Sequence, residues 1–323
     1  MLNTNEIQKY TKMKKYAIGV DIGGSHISCA VIDLEKGNII RESFATHEVD
    51  NQASAEDILT NWTIALKKSL SYINKDQLAG IGFAMPGPFD YENGIAMFTE
   101  SVAKYQNLYR IKVSKRLKEL MGLSKDSDVR FMNDASAFAT GEAWCGKATN
   151  VDRSVSITLG TGFGSAFVDD GVVVVDRDDV PKLGCVWHLP YNDGIADESF
   201  STRWFIKRYA EKANIQTTGV KEIADKAVTD PIAKEIFVEY GTHLGEFLAP
   251  WLKKFQAEAL VIGGNVTGAY KYFGIPFETA LKKQHVATVI HISDHMEDAA
   301  IIGSARMFDP EFWEKIRPLL SKM

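Results

Sequence analysis

Two segments of apolar and β-branched residues share one design, because a glycine-rich turn interrupts each of them. The first extends over Tyr16–Asp33 around Gly23–Gly24, and the second extends over Val155–Val168 around Gly160–Gly164. This pattern predicts two β-hairpins, each with a tight turn. Glycine turns let phosphate oxygens approach backbone N–H groups. The pair therefore predicts a phosphate held from two sides by two related domains.

The rest of the chain alternates between helical and strand-like patterns. Helices are predicted where apolar residues recur with helical spacing, at Ser54–Tyr72, Trp204–Ala213, Lys221–Ala227 and Ile232–Phe255. Ser54 is the predicted cap of the first, with Asp57 in the capping-box position. Short buried strands are predicted at Ala79–Met85, Val129–Met132 and Leu260–Ile262. The alternation predicts an α/β fold. We expect a small N-terminal domain over residues 1–133, completed by a C-terminal helix at about 308–323, and a larger domain over residues 134–307.

Composition narrows the functional classes. A chain of 323 residues that is 45% hydrophobic is long enough for about two domains. Its net charge of −5 disfavours a protein that binds nucleic acid. Cys29, Cys145 and Cys185 lie far apart, which favours a reducing compartment and offers no local zinc cluster. No apolar run reaches the ~18 residues of a membrane span, so we expect a cytoplasmic protein with no membrane partner.

The two glycine turns are candidate binding sites for nucleotide phosphates. Gly23, Gly24 and Ser25 form the first turn. Asp21, just before it, is placed to orient metal-bound water, although an ordinary hairpin turn is the alternative interpretation. A strand rather than a helix follows the second turn, which argues against a dinucleotide-binding loop of the Rossmann type. The candidate phosphate contacts there are Gly160, Thr161, Gly162 and Gly164.

Two further strand ends carry candidate chemistry. Asp134 follows Asn133 after a predicted strand, where its carboxylate could take a proton from a substrate hydroxyl that attacks phosphorus. By itself, an Asn-Asp pair at this place more often caps the following helix. Gly263, Gly264 and Asn265 follow another predicted strand. A flat ligand such as adenine could approach the backbone there, or the chain could simply turn tightly into a helix.

These segments, in this order, resemble the ROK family of sugar kinases from about residue 16 to the C-terminus. Asp21–Ser25 and Leu159–Gly164 are similar to the family's two phosphate motifs, and Leu260–Asn265 is similar to its adenosine motif. Asn133–Asp134 is similar to the family's pair of Asn and catalytic Asp. The resemblance implies a two-domain, actin-like and ribonuclease H-like ATPase fold with a cleft between the domains.

The resemblance also implies a set of sugar contacts. Asn107 is similar to the family's Asn-Leu contact, and Gly87 lies in a similar Pro-Gly turn. His188 is retained from the family pattern Gly-Glu-x-Gly-His, whereas Cys185 stands at the glutamate position. The expected sugar-binding residues are Gly87, Asn107, Asn133, Asp134, His188 and Glu198, with Asp197 as the alternative to Glu198.

A second departure from the family concerns its cysteine-rich zinc segment. Tyr191–Phe200 stands in its place, so we expect no structural zinc. The resemblance implies an ATP-dependent hexose kinase that uses Mg²⁺, binds a small-molecule sugar and forms a homodimer. The alternatives are a kinase for N-acetylglucosamine or N-acetylmannosamine, a polyphosphate-using glucokinase, and a sugar-binding regulator without catalysis.

Overall fold

The computed structural model describes residues 14–99, 104–124 and 127–323. Its strands are β1 (Tyr16–Ile22), β2 (His26–Asp33), β3 (Asn38–Ile39), β4 (Ala45–Glu48), β5 (Leu78–Met85), β6 (Phe89–Asp90), β7 (Ile95–Ala96), β8 (Asp128–Asn133), β9 (Arg153–Leu159), β10 (Phe163–Asp169), β11 (Val172–Val173), β12 (Pro190–Tyr191), β13 (Gly194–Ile195), β14 (Ala259–Gly263) and β15 (Val289–Ile292). Its helices are α1 (Ala55–Leu70), α2 (Val113–Met121), α3 (Asp134–Cys145), α4 (Ala196–Phe200), α5 (Thr202–Ala213), α6 (Val220–Lys226), α7 (Pro231–Phe255), α8 (Tyr270–Lys283), α9 (Glu297–Arg306) and α10 (Pro310–Ile316).

The two hairpins predicted from the sequence are confirmed. β1 pairs with β2 in antiparallel register, and the connecting turn is closed by a hydrogen bond from Gly23 N to His26 O at 3.0 Å. β9 pairs with β10 in the same way, and Gly160 N donates to Gly162 O at 3.0 Å. We call the turns hairpin loop 1 (residues 23–25) and hairpin loop 2 (residues 160–162). Each loop thus follows the first strand of its hairpin without a break.

The chain divides into two compact units, and the first comprises Met1–Cys145 and Asp298–Met323. Its main sheet has the strand order β3-β2-β1-β5-β8, with β4 also paired to β2. β5 and β8 run parallel to β1, whereas β2 runs antiparallel to it. Helix α1 packs against β2 and β4. The predicted cap of this helix is confirmed, because Ser54 Oγ accepts a hydrogen bond from Asp57 N at 3.2 Å.

The second unit comprises Gly146–Glu297 and repeats the arrangement of the first. Its sheet has the order β11-β10-β9-β14-β15, with an antiparallel hairpin followed by two parallel strands. The long helix α7 packs along α8 and contributes to a core rich in aromatic side chains. Among the described helices, none is both long enough and apolar enough to cross a membrane.

The boundaries of the units differ from those expected from the sequence. We expected the first boundary after residue 133, but α3 packs against β5 and β8 and belongs to the first unit. We expected the chain to return at about residue 308, but the first unit already resumes at Asp298, within α9. Each helix belongs to the unit whose sheet it covers. That contact joins residues far apart in sequence, so the local pattern of residues does not predict it.

Helix α9 lies against the main sheet of the first unit at a distance that leaves no room for side chains. A methyl group added at Gly19 in β1 would overlap the carbonyl oxygen of Ile301. One added at Gly82 in β5 would overlap the carbonyl oxygen of Ser304. Ser304 also accepts a hydrogen bond at its hydroxyl from Val20 N, at 3.1 Å. The backbone of α9 is therefore seated directly on the two central strands.

The same helix meets α3 equally closely. A methyl group at Gly303 would overlap the carbonyl oxygen of Ala137, and one at Gly141 would overlap the carbonyl oxygen of Ala299. Glycines thus stand on both sides of this helix pair. Together with the contacts to β1 and β5, they fix α3 relative to the sheet.

We predict that Gly82→Ala destabilises the protein. The added methyl group can be accommodated only if α9 moves away from β5, so the free energy of unfolding should fall by about 2 kcal/mol or more in chemical denaturation. Gly219→Ala is the control, because a methyl group there meets no atom within 4 Å and the backbone φ of −179° is extended. The control should change the free energy by less than about 1 kcal/mol. Equal effects of the two variants would contradict the prediction.

Candidate active site

Three parallel strands of the first unit end at one edge of its sheet. β1 ends just after Asp21, β5 ends at Met85, and β8 ends at Asn133. In the register of the sheet, Asp21 stands opposite Ala84, and Met85 stands opposite Asn133. Ligands of α/β proteins bind beyond the carboxyl ends of such strands. The fold therefore brings the predicted metal-orienting and catalytic carboxylates to the same edge, on either side of β5.

The Asn-Asp pair contains the helix cap that the sequence offered as one interpretation. Asn133 Oδ1 accepts a hydrogen bond from Ser136 N at 3.2 Å, so the asparagine caps α3. Asn133 Nδ2 and Ala135 N both donate to Asp134 Oδ1, at 3.0 and 2.8 Å. Because the asparagine serves as the cap, the aspartate is held at the start of the helix without having to cap it.

Burial sets the acidity of Asp134. Desolvation raises the pKa of its carboxyl group above the ordinary value of 3.8, since the charged form is disfavoured away from water. The hydrogen bonds from Ala135 and Asn133 and the positive charge of Lys104 act in the opposite direction, without cancelling the increase. A carboxylate with a raised pKa is a stronger base, which suits a group that must take a proton from a hydroxyl.

Tyr91 supports this pair and was not identified from the sequence. Its hydroxyl donates to Met85 O at 3.0 Å and accepts a hydrogen bond from Asn133 Nδ2 at 3.4 Å. The same hydroxyl lies 3.4 Å from the position of a methyl group added at Gly87, the predicted sugar contact. Tyr91 thus links the Pro-Gly turn after β5 to the side chain that holds Asp134. No local motif marks this tyrosine.

Side chains from distant segments hold hairpin loop 1. Tyr105 donates a hydrogen bond from its hydroxyl to Gly23 O at 2.8 Å, and Asn51 Nδ2 donates to Gly24 O. Tyr105 N in turn donates to Asn51 O at 3.1 Å. Burial raises the pKa of Tyr105 to about 12, and the charge of Asp21 contributes to the increase. The phenol therefore remains protonated, and a donor, at neutral pH.

Asn107, a predicted sugar contact, is engaged elsewhere. Its side chain is exposed, and Nδ2 donates to the carbonyl oxygens of Gln52 and Ala53 at 2.9 and 2.8 Å. These carbonyls lie in the segment that leads into α1. In this structure the amide of Asn107 therefore fixes that segment to the 3₁₀ turn at Gln106–Leu108.

In the second unit, the predicted adenosine motif lies directly beside hairpin loop 2. Gly263, at the end of β14, stands opposite Thr158 in β9. Gly264 has a backbone φ of +86°, and a methyl group there would lie 2.7 Å from Leu159 N. Only glycine satisfies both conditions. Asn265 then begins a 3₁₀ turn, and α8 follows it. The structure thus joins two motifs that are a hundred residues apart in sequence.

Asp197 holds hairpin loop 2. Its Oδ1 accepts a hydrogen bond from Phe163 N at 2.7 Å, and its Oδ2 forms an ion pair with Arg203. Arg203 Nη1 donates to Thr161 O at 3.0 Å. Both oxygens of Asp197 are therefore engaged at the base of the loop. The sequence had offered this residue only as an alternative sugar ligand, and no local pattern indicated its contact with the loop.

His188 and Cys185 lie side by side on the second unit. Cys185 Sγ is 3.7 Å from His188 Nδ1, and Val186 N donates to Ser165 Oγ of β10 at 2.8 Å. Burial raises the pKa of Cys185 to about 11, and burial together with the charge of Lys182 lowers the pKa of His188. Both groups are therefore neutral at neutral pH, so this segment offers hydrogen-bonding groups without charge.

Glu198 lies in the segment over residues 191–200. The segment folds as the small hairpin β12–β13 followed by α4. Glu198 Oε2 accepts a hydrogen bond from Ile195 N at 3.2 Å, so the carboxylate satisfies the start of its own helix. Tyr191 packs on Phe200 and Phe247, with ring centroids 4.9 and 5.4 Å apart. Apolar packing therefore holds the segment in place.

Hairpin loop 2 has room for a phosphate group. A methyl group added at Gly160 would meet no atom within 4 Å, so open space faces this part of hairpin loop 2. Among the described residues, no group of three or more His, Cys, Asp and Glu side chains is assembled to hold a metal. Mg²⁺ at nucleotide sites needs no such group, because phosphates and water supply most of its oxygen ligands. The single carboxylate of Asp21 is consistent with that chemistry.

We predict that Asn133→Ala raises the pKa of Asp134 further. The variant removes a hydrogen bond to the charged carboxylate, while the burial that disfavours the charge remains. The titration can be followed by the ¹³Cγ chemical shift of Asp134, and its midpoint should lie above 3.8 in the parent and higher in the variant. Asn38→Ala, at an exposed asparagine in β3, should leave the midpoint unchanged. A lower midpoint in Asn133→Ala would contradict this account of the pair.

Comparison with known proteins relates this geometry to sugar kinases. The glucokinase of Thermotoga maritima is 26% identical over 315 residues, which cover 89% of this chain and 95% of that protein. The N-acetyl-D-glucosamine kinase of Mannheimia succiniciproducens is 30% identical over 322 residues, covering 90% of this chain and 98% of that protein. A ROK family glucokinase from Streptomyces griseus, solved in complex with glucose and AMPPNP, has a TM-score of 0.71 at 21% identity, covering 90% and 98% of the two chains.

These similarities extend over both units. The structural likeness confirms the predicted α/β fold of the actin-like ATPases. The sequence pattern of the ROK family matches residues 17–311, which include both glycine turns, the Asn-Asp pair and the predicted adenosine motif. The chain belongs to the ROK family.

Proposed function

We propose that this chain transfers the terminal phosphoryl group of ATP to the primary hydroxyl of a hexose. The observation that carries the proposal is the placement of Asp134, which is buried, held by Asn133, and located at the sheet edge where β1 presents Asp21 and hairpin loop 1. A base at this edge can reach a hydroxyl, and a glycine loop at the same edge can receive a phosphate. The relatives described above are sugar kinases, which agrees with this chemistry.

In the proposed reaction, Asp134 takes the proton of the attacking sugar hydroxyl. ATP with Mg²⁺ on its phosphates supplies the phosphoryl group. Asp21 would hold the cation through its water ligands, and the backbone amides of each hairpin loop would contact phosphate oxygens. Gly263 and Gly264 leave the backbone open to the adenosine. The neutral state of His188 suits a hydrogen bond to an uncharged sugar hydroxyl.

We propose the sugar contacts expected from the family, but assign different roles to Asn107 and Asp197. Gly87, Asn133, His188 and Glu198 remain candidates for direct contact. Asn107 is proposed to act through the segment before α1, because its amide is already bonded to that segment. Asp197 is proposed to organise hairpin loop 2 for the nucleotide. The expected homodimer and cytoplasmic location stay predictions.

A kinase for an N-acetylhexosamine is the second candidate, and one observation favours it. Cys185 stands where the family carries a glutamate, and its thiol is neutral because burial raises its pKa to about 11. The neighbouring Trp187 is 44% exposed, so an apolar ring is available to a ligand. A neutral thiol and an exposed indole accommodate an acetamido group better than a charged carboxylate would.

We predict that the parent protein releases ADP in a coupled assay with at least one sugar from a panel of hexoses and N-acetylhexosamines. Asp134→Asn should lower kcat by ~10²-fold or more, with KM for the sugar changed by less than about threefold, because the amide cannot take the proton. Asp76→Asn, at an exposed carboxylate in a 3₁₀ turn, should retain the parent kcat.

The panel also separates the alternatives. A second arm replaces ATP with polyphosphate and identifies the donor. Sugar binding without transfer to any panel member would favour a sugar-binding regulator over a kinase. Near-normal turnover by Asp134→Asn would remove Asp134 from the role of base.

We predict that Asp197→Ala raises KM for ATP by about tenfold or more, because loss of charged hydrogen-bond partners releases hairpin loop 2. KM for the sugar should change by less than about threefold. Asp193→Ala, at an exposed position in the β12–β13 turn, is the control and should match the parent. A rise in the KM for sugar alone would instead assign Asp197 to the sugar.

A further inference from the structure

A lysine that belongs to none of the recognised motifs lies on hairpin loop 1. A methyl group added at Gly24 would meet Lys104 Nζ at 2.6 Å and its Cε at 2.8 Å. The end of this side chain therefore lies directly over the glycine of the loop, in the space that any larger residue at position 24 would fill. Gly24 thus has a second role, because its missing side chain makes room for a cation.

The backbone around Lys104 is fixed by its neighbour. Tyr105 is buried, and its ring meets Trp62 edge to face with centroids 5.6 Å apart. The Tyr105 hydroxyl donates to Gly23 O at 2.8 Å, and its backbone N donates to Asn51 O. One residue thus anchors the segment both to the core and to the loop. The position of Lys104 over hairpin loop 1 follows from these contacts rather than from a flexible surface conformation.

The ammonium group of Lys104 has no hydrogen-bonding partner among the described residues. Within the ranges that the structure describes, it makes no hydrogen bond and no ion pair, although the side chain is half-buried. Its charge is close enough to Asp134 to lower the pKa of that carboxyl group. A half-buried lysine that has no partner among the described residues, and that lies close to a glycine loop and to the proposed base, is arranged to meet a ligand anion.

We propose that Lys104 is a further catalytic residue, whose ammonium group contacts the non-bridging oxygens of the phosphoryl group during transfer. The inference rests on the proposed kinase function. A bond forms between the sugar oxygen and the terminal phosphorus, and the bond from that phosphorus to the bridging oxygen breaks. The electron pair of that bond remains on the departing phosphate chain, and the hydroxyl proton passes to Asp134. Lys104 forms no covalent bond and stabilises the charge on the oxygens.

The position of the lysine explains why the contact favours transfer rather than binding alone. A cation fixed by the fold needs no reorganisation when charge develops on the transferring group. The same cation lies near the base, so it also favours the ionised form of Asp134 before the proton is taken. Lys104 therefore acts on the phosphoryl group and also on the base, and both Lys104 and Asp134 belong to the first unit.

The test compares Lys104→Met with Lys104→Arg, and Lys36→Met serves as the control at an exposed lysine in the β2–β3 turn. Lys104→Met keeps the length of the side chain and removes its charge. Its kcat should fall by about 10²-fold or more, while KM for the sugar changes by less than about threefold. Lys104→Arg should recover at least about tenfold of that loss, and Lys36→Met should match the parent.

The pH profile provides a readout that a purely structural role would not move. Asp134 must be ionised to act, so activity is lost as the pH falls through its pKa. Loss of the positive charge raises that pKa further, and the acidic limb of kcat/KM should move to higher pH in Lys104→Met. The other titratable groups described around this edge are Asp21, Tyr91 and Tyr105, together with His26, whose ring lies against Gly23. All four are unchanged in the variant.

The outcomes separate this inference from the proposed function. If the parent transfers phosphate, Asp134→Asn is inactive, and Lys104→Met retains the parent kcat and pH profile, then the role of Lys104 is overturned and the kinase stands. If Lys104→Met loses activity but Lys104→Arg recovers none and the acidic limb does not move, the lysine is structural and the inference also fails. If the parent transfers phosphate to no sugar from any donor, the proposed function is overturned, and the inference about Lys104 is overturned with it.

Discussion

The first unit depends on the direct contact between the backbone of α9 and the backbones of β1, β5 and α3. Close packing through glycines removes the side-chain layer that normally separates a helix from a sheet, so small displacements are strongly resisted. β1 leads to Asp21, and α3 begins at Asp134. The contact therefore fixes the distance between the two carboxylates, although no residue of α9 takes part in the proposed chemistry.

The two glycine loops share a second constraint. Glycine allows the turn but loses more conformational entropy than other residues on folding, so a glycine loop does not hold itself. Each loop is instead fixed by side chains from outside the hairpin. Tyr105 and Asn51 hold loop 1, and Asp197 and Arg203 hold loop 2. Backbone amides can then face a phosphate in a geometry that is set before the ligand arrives.

The sequence predicts those features of the structure that are determined by residues close together in the chain. The hairpins, the Ser54 cap and the strand before Asn133 follow from periodicity, capping residues and turn residues, and they are confirmed. The sequence did not indicate the contact of Tyr105 with Gly23, which joins residues 82 positions apart. Asp197 and Phe163 are 34 positions apart. Such contacts depend on tertiary packing. The boundaries of the units depend on it too, because they are set by the sheet against which α3 and α9 pack and not by the sequence motifs.

The insertion of the second unit within the first has a consequence for how the protein is made. Residues 146–297 form one continuous segment, whereas the first unit needs residues from Asp298 onward that leave the ribosome later. Domains tend to fold as they emerge during synthesis. The second unit can thus fold while the first unit still lacks α9. Until α9 is made, the glycines of β1, β5 and α3 that contact it remain uncovered. The unit that carries Asp134 is completed after the second unit, so the surroundings of the proposed base are assembled only once α9 has been translated.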